Sequence, residues 1–219
     1  MILQGSGMTA NELEINTVSA FCIPIGAVQI PDKICDQLKD YKGMMQDQDK
    51  QFKEAKEDIN WTILDKNLEI KQAITDIFAS WVNSILGVPH EWMITTSWIT
   101  ENKDGKEMAI HNHRNCLYSS VLYFDICSED HAQLHFTNPI NEQLNNGWFV
   151  QTKNDNPFTC VSYVAPIKKG LMLFFPSYLK HFHPPFKSSI PRRSLACNFF
   201  PVGKFGTGHD STLDTNWFK

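Results

Sequence analysis

The chain has 219 residues, of which 42% are hydrophobic and 20% charged, and its formal net charge is -4. This length fits one large domain with a substantial buried core, and the charge gives no general attraction to nucleic acid or to anionic lipid. No apolar run is long enough to span a bilayer and the first residues lack a basic, apolar leader pattern, so the expected location is the cytoplasm.

Residues 1 to 17 are polar and without period, as in a loose terminus. Val18 to Ile30 carries Phe21, Ile23, Ile25, Val28 and Ile30, interrupted by Pro24 and Gly26, which predicts a short strand entering a turn at Pro31-Asp32. Pro31 then opens a helix in which Ile34, Leu38 and Tyr41 recur at helical spacing, with Gly43 as its stop. The Gln, Lys, Glu and Asp run from Gln46 to Asp58 reads as a solvated helix or loop. Asp65 to Leu86 gives the clearest helix, because Ile70, Ile74, Ile77, Phe78, Trp81, Val82 and Ile85 line one face before Gly87 and Pro89 end it.

From Glu91 onward the pattern changes to short β-branched and aromatic runs separated by Gly, Pro and Asn. The predicted strands are Trp92 to Thr100, Met108 to His111, Tyr118 to Phe124, Gln133 to Phe136, Phe158 to Val164, Leu171 to Phe175 and Ser194 to Phe200. About seven such runs at this spacing predict a sandwich, jelly roll or barrel. Pro139 to Asn156, rich in Asn and Gln, reads as a long surface excursion or lid. The expected organisation is a single domain: a helix-rich support over 1–90, a β core over 91–201 and a tail over 202–219.

Ligand-type side chains concentrate at His111-Asn112-His113 and again at His181-Phe182-His183. One intervening residue on extended backbone sends both imidazoles of a pair to the same side of the strand. His111 and His113 end one predicted strand, and the second pair follows another strand and Pro176. Three imidazoles can therefore meet one metal across a closed β scaffold. Iron, zinc, copper and nickel all accept imidazole, so ligand type alone does not choose among them. The six cysteines form no C-x-x-C pair, which favours reduced, mostly buried thiols. Cys116 is the one close enough to the histidines to be considered as a thiolate ligand.

Strand parity gives independent evidence at Pro191-Arg192-Arg193-Ser194. Arg192, Ser194, Ala196 and Asn198 share one face of a strand, and Arg193, Leu195 and Cys197 share the other. A guanidinium grips a carboxylate through two parallel charge-assisted hydrogen bonds, and a serine hydroxyl adds a third. Arg192 with Ser194 is thus a candidate anion-binding pair.

These residues resemble the 2-oxoglutarate and iron(II)-dependent oxygenases, and within them a group from bacteria and phages. The resemblance covers roughly residues 92 to 201. It is carried by Ser97-Trp98, by His111-Asn112-His113 followed by Tyr118-Ser119-Ser120-Val121-Leu122-Tyr123, by Gly170-Leu171-Met172-Leu173-Phe174-Phe175-Pro176-Ser177, by His181, and by Arg192-Arg193-Ser194 leading to Asn198. It implies a mainly β fold with N-terminal helices, a double-stranded β-helix of the jelly-roll, cupin-like kind. His111 and His181 become iron ligands by this resemblance, and Arg192 with Ser194 becomes the clamp on the distal carboxylate of 2-oxoglutarate. Tyr118 and Tyr123 lie in the strand that helps to hold the co-substrate; they have opposite parity, and Tyr118 is the one expected to face the pocket. The implied reaction consumes iron(II)-bound 2-oxoglutarate and molecular oxygen, hydroxylates a further substrate, and releases succinate and carbon dioxide.

His113 departs from the superfamily pattern, which has Asp or Glu at this place. The expectation adopted is that His113 coordinates, giving a metal set of His111, His113 and His181, with His183 left as pocket wall, outer support or surface residue. The same residues also resemble the cupins, among which three-histidine dioxygenases account for His113 directly but leave Arg192-x-Ser194 without a duty. A non-catalytic jelly-roll module is the third reading. The partners expected are a small-molecule co-substrate and a prime substrate the sequence does not specify. A homodimer stays open, and neither nucleic acid nor membrane is indicated.

Overall fold

The computed structural model describes residues 22–42, 44–45, 61–87, 89–140, 159–206 and 212–218. Strand β1 (Gly26–Gln29) and helix α1 (Asp32–Gln37) lead into β2 (Met44–Met45), followed by the long helix α2 (Leu68–Leu86). The β half then runs through β3 (Glu91–Asn102), β4 (Met108–His111), β5 (Tyr118–Leu122), β6 (Leu134–Thr137), β7 (Ser162–Ala165), β8 (Leu171–Pro176), β9 (His181–His183) and β10 (Arg192–Val202). Two short strands, β11 (Lys204–Phe205) and β12 (Leu213–Asp214), close the order.

Helix α2 forms where the apolar period predicts. Asn67 caps its start, its side-chain oxygen accepting from the Ile70 N–H at 3.1 Å. Gly87 ends it in the left-handed region at φ 71°, which costs glycine nothing. The buried stripe is Ile70, Ile74, Phe78 and Val82, four residues apart. It is narrower than the sequence pattern, since Ile85 is 44% exposed. Asp65 and Lys66 belong to a separate 3-10 turn, Ile63–Lys66, so the helix starts three residues later than predicted.

The strands form a six-stranded sheet in the order β1-β8-β5-β10-β3-β2 and a four-stranded sheet in the order β4-β9-β6-β7. All pairs are antiparallel except β2 with β3. Together they make the jelly roll, mainly β with few helices. β10 is the spine, paired with β3 on one side and with β5 on the other. Its parity separates two environments. Leu195, Cys197 and Phe199 join the core under α2 with Phe78, Met172 and Phe174. Ring stacking is tight there, with Phe78 and Phe199 centroids 3.9 Å apart at 19°. Arg192, Ser194 and Ala196 instead line a cavity on the opposite face. Beside that cavity, Leu134 and Phe136 of β6 pack with Leu173 and Phe175 of β8 as a second core.

Several element bounds move. The strand predicted at 18–30 reduces, among described residues, to Gly26–Gln29, and it pairs with β8 as a full member of the large sheet. The first helix stops at Gln37, and the chain reaches Tyr41 through turns from Lys39 N to Asp36 O and from Tyr41 N to Leu38 O. The Gln46 to Asp58 run and most of Pro139 to Asn156 lie outside the described residues.

Candidate metal centre

His111 is the last residue of β4 and sits directly across from His181, the first of β9. That register sets their rings 4.4 Å apart between centroids. His113 follows two residues on, anchored by its backbone N–H donating to Ser177 O at 3.0 Å. The expected same-side projection holds: the His111 and His113 rings lie 5.4 Å apart at 21°, and His113 is 5.1 Å from His181. Each of the three offers one nitrogen, and these atoms all lie within 4.8 Å of one another.

Which nitrogen is free follows from the partners of the others. His111 Nδ1 faces Ala109 O at 2.8 Å, His181 Nδ1 faces Leu179 O at 3.0 Å, and His113 Nδ1 faces the Asn198 side-chain oxygen at 2.7 Å. Carbonyl oxygens only accept, so each Nδ1 carries the proton and each Nε2 keeps its lone pair. Burial keeps all three rings neutral. It lowers the pKa of His111, takes His113 down to about 4 and takes His181 to about 3, where the neighbouring histidines add to the effect. Three neutral imidazoles with bare, convergent nitrogens are a donor set for a divalent transition metal, iron(II) included. No carboxylate belongs to this cluster among the described residues.

His183 is not part of the set. It is fully buried, its Nδ1 donates to Pro184 O at 2.9 Å, and its Nε2 accepts from Asn102 Nδ2 at 2.7 Å. Both ring nitrogens are therefore engaged, Nδ1 with the next residue and Nε2 in holding β9 to β3. Cys116 is likewise outside the cluster, its thiol directed to Arg114 O at 3.4 Å.

The cavity that holds the histidines also holds Arg192 and Ser194, with Trp98, Thr100 and Val121 on the same wall. Arg192 is 3% exposed. Its Nε donates to Ala132 O at 3.2 Å and its Nη2 to the Tyr123 hydroxyl at 3.0 Å, and it forms no ion pair among the described residues. Ser194 Oγ lies 2.8 Å from Thr100 Oγ. Arg193, on the other face of β10, is by contrast paired with Asp125 at 2.9 Å and Glu101 at 3.4 Å, and also bonds backbone oxygens of Lys39 and Tyr41. One arginine ties the fold together; its neighbour is a buried cation facing a cavity.

Tyr118 requires a correction. It lies opposite Phe199 in the β5–β10 register and so takes the helix-facing side, where its ring meets Phe78, Trp81 and Trp92 at 5.6 to 5.8 Å. Strand parity does separate the two tyrosines, but Tyr123, not Tyr118, is the one beside Arg192. Asn198 was placed on the correct face by parity, but no sequence signal gave it the contact with His113 described above.

Residues 96–198 match the family model described as "Putative 2OG-Fe(II) oxygenase". No curated protein matches the chain. Among solved structures, the chain is similar to AviO1 from Streptomyces viridochromogenes Tue57, with TM-score 0.53 and 11% identity over 81% of this chain and 89% of that one. It is also similar to HygX from Streptomyces hygroscopicus, solved with nickel and 2-oxoglutarate bound, with TM-score 0.52 and 9% identity over 82% of each chain. An oxidoreductase of the 2OG-Fe(II) oxygenase family from Burkholderia pseudomallei matches with TM-score 0.42 and 12% identity, over 61% of this chain and 59% of that one. At these identities the likeness to AviO1 and HygX establishes the shared fold.

Proposed function

We propose, from the match of residues 96–198 to the 2OG-Fe(II) oxygenase family model, that this protein is an oxygenase of that family, which uses iron(II), 2-oxoglutarate and oxygen, and that it binds iron(II) through His111, His113 and His181. We further propose that it binds 2-oxoglutarate through Arg192 and Ser194, and hydroxylates a prime substrate with release of succinate and carbon dioxide. The observation that carries the reading is Arg192. A guanidinium this deeply buried without a counter-charge is costly to leave unpaired. A dicarboxylate entering the cavity supplies that charge, and the planar fork of Arg192 accepts it in a fixed orientation. Tyr123, whose hydroxyl already accepts from Arg192, steadies the guanidinium and takes the role first expected of Tyr118.

The metal, when bound, supplies the oxidative chemistry. The chain's residues supply position and environment. The Nε2 atoms of His111, His113 and His181 would hold the metal, while Arg192 and Ser194 in the same cavity would hold the distal carboxylate. Met108, Val121, Leu134 and Phe175 give the wall an apolar part beside Thr100 and Ser120, which limits water at the centre. All residues of the centre, His181 and Met108 included, lie within the matched residues 96–198, and residues 1–219 are proposed as one domain.

The three-histidine donor set is the one feature that favours a cupin-type dioxygenase instead, and such a protein would bind metal without needing Arg192. Anaerobic titration of the iron-loaded protein with 2-oxoglutarate separates the two. The proposed function expects the visible metal-to-ligand charge-transfer band of the chelate to grow in and saturate. Full iron loading without that band would favour the cupin reading.

A further inference from the structure

We infer that Asn198 is a positioning residue for the metal centre: its side-chain carbonyl holds His113 in the tautomer that can bind metal and so sets whether the centre has three protein ligands or two. The inference rests on the proposed reading of His113 as a ligand. His111 and His181 are oriented by backbone carbonyls two residues upstream, Ala109 O and Leu179 O, which no substitution removes. His113 is different. Its Nδ1 is held by a side chain from another strand, at 2.7 Å.

Asn198 is itself fixed on every side. It is 9% exposed. Its oxygen accepts a second hydrogen bond from Ser119 Oγ at 2.9 Å, and its Nδ2 donates to Thr96 Oγ1 at 2.8 Å. Ser119 has given its one proton to Asn198, so the Ser177 hydroxyl, 2.8 Å away, donates to Ser119. The β10–β3 pairing also shifts register immediately after Asn198, a local irregularity of the kind that re-aims a side chain. In this network the amide presents oxygen, and only oxygen, to His113. Were the amide turned over, an N–H would face Nδ1, the ring proton would move to Nε2, and the ligand lone pair would be lost.

The test uses the full-length metal-free protein with cobalt(II) as the probe, titrated in competition with a chromophoric chelator. Asn198→Leu is expected to weaken cobalt binding 10- to 100-fold, the range typical of removing a hydrogen-bond partner from a ligating histidine. Asn198→Asp retains the acceptor and is expected to hold or raise affinity. In a His113→Ala background, Asn198→Leu is expected to change nothing further. An equal loss in that background would assign Asn198 a purely structural role and overturn the inference. If His113→Ala leaves cobalt affinity unchanged, the ligand reading fails and the inference with it; if His113→Ala weakens binding but Asn198→Leu does not, only the inference fails. Ring nitrogen NMR on the unmutated metal-free protein covers the case in which Asn198→Leu does not fold. It is expected to show His113 protonated at Nδ1, and a proton at Nε2 would overturn the inference.

Discussion

Arg192 donates from Nη2 to the hydroxyl of Tyr123 at 3.0 Å, and both side chains are buried. The guanidinium also lies 5.1 Å from the Tyr123 ring centroid, so the tyrosine restrains the cation without neutralising it. The charge is left for a ligand. Arg192→Ala is therefore expected to weaken 2-oxoglutarate binding by a few kcal/mol, roughly the value of one partner in a buried charge-assisted pair. Tyr123→Phe is expected to cost about 1 kcal/mol, one neutral hydrogen bond, and Tyr118→Phe to leave affinity untouched. Calorimetry on the iron-loaded protein under anaerobic conditions reads all three. Unchanged affinity in Arg192→Ala would remove the basis for the co-substrate assignment.

The three histidines should separate by substitution. His111→Ala and His181→Ala, which each remove a nitrogen from the cross-strand pair, are expected to abolish stoichiometric iron binding. His113→Asp puts a carboxylate at the position the superfamily usually fills with one. The variant is expected to stay loaded and to shift the charge-transfer band of the 2-oxoglutarate complex, because a carboxylate removes one unit of positive charge from the centre. If neither iron content nor spectrum responds, His113 is not a ligand.

Much of this centre was legible because β structure has period two. The alternation Arg192, Ser194, Ala196 against Leu195, Cys197, Phe199 follows from parity alone, and the cavity and the helix-facing core divide along it. The stripe on α2 was legible for the same kind of reason, period 3.6 written over five turns. Parity fixes relative faces but not which face is which. Parity thus separates Tyr118 from Tyr123 without showing that Tyr118 packs under the helix and Tyr123 lies beside Arg192. The His113–Asn198 contact spans 85 positions, and no local pattern records a contact between side chains on separate strands. The role of His183 was hidden similarly, since its partner Asn102 comes from β3.

Packing under α2 gives a stability prediction that leaves the metal centre out. Phe78 is fully buried and meets Phe199, Trp92 and Phe174 within 5.5 Å between ring centroids. Phe78→Ala leaves a cavity that a rigid aromatic surround does not refill, so a loss of about 3–5 kcal/mol is expected in urea denaturation. Gly26→Ala should also destabilise, because a Cβ there would sit 2.5 Å from the Trp81 ring, and Trp81 is itself stacked 5.6 Å from Phe174. Equal midpoints for Gly26→Ala and the parent would show that Trp81 has room to move.

Acid should destabilise the metal-free protein, and His183 sets much of the window. Burial, with the nearby Arg192 charge adding to it, lowers its pKa from 6.5 to about 4. Burial does the same to His113 and His181, to about 4 and about 3. Each imidazole is neutral in the fold and protonates more readily once unfolded, so the unfolded chain binds more protons between those values. The stability these groups contribute is complete above pH 6.5 and is lost as the pH falls toward 4 and below. For His183 alone the loss by pH 5 is on the order of 2 kcal/mol. His183→Leu separates this from metal binding. It leaves the Asn102 amide without its acceptor and should lower stability at pH 7, but it should also flatten the pH dependence by about one proton. Its cobalt(II) affinity at pH 7.5 should match that of the parent, because His183 Nε2 is already engaged with Asn102. A drop in cobalt affinity with no change in the pH slope would instead make His183 a ligand.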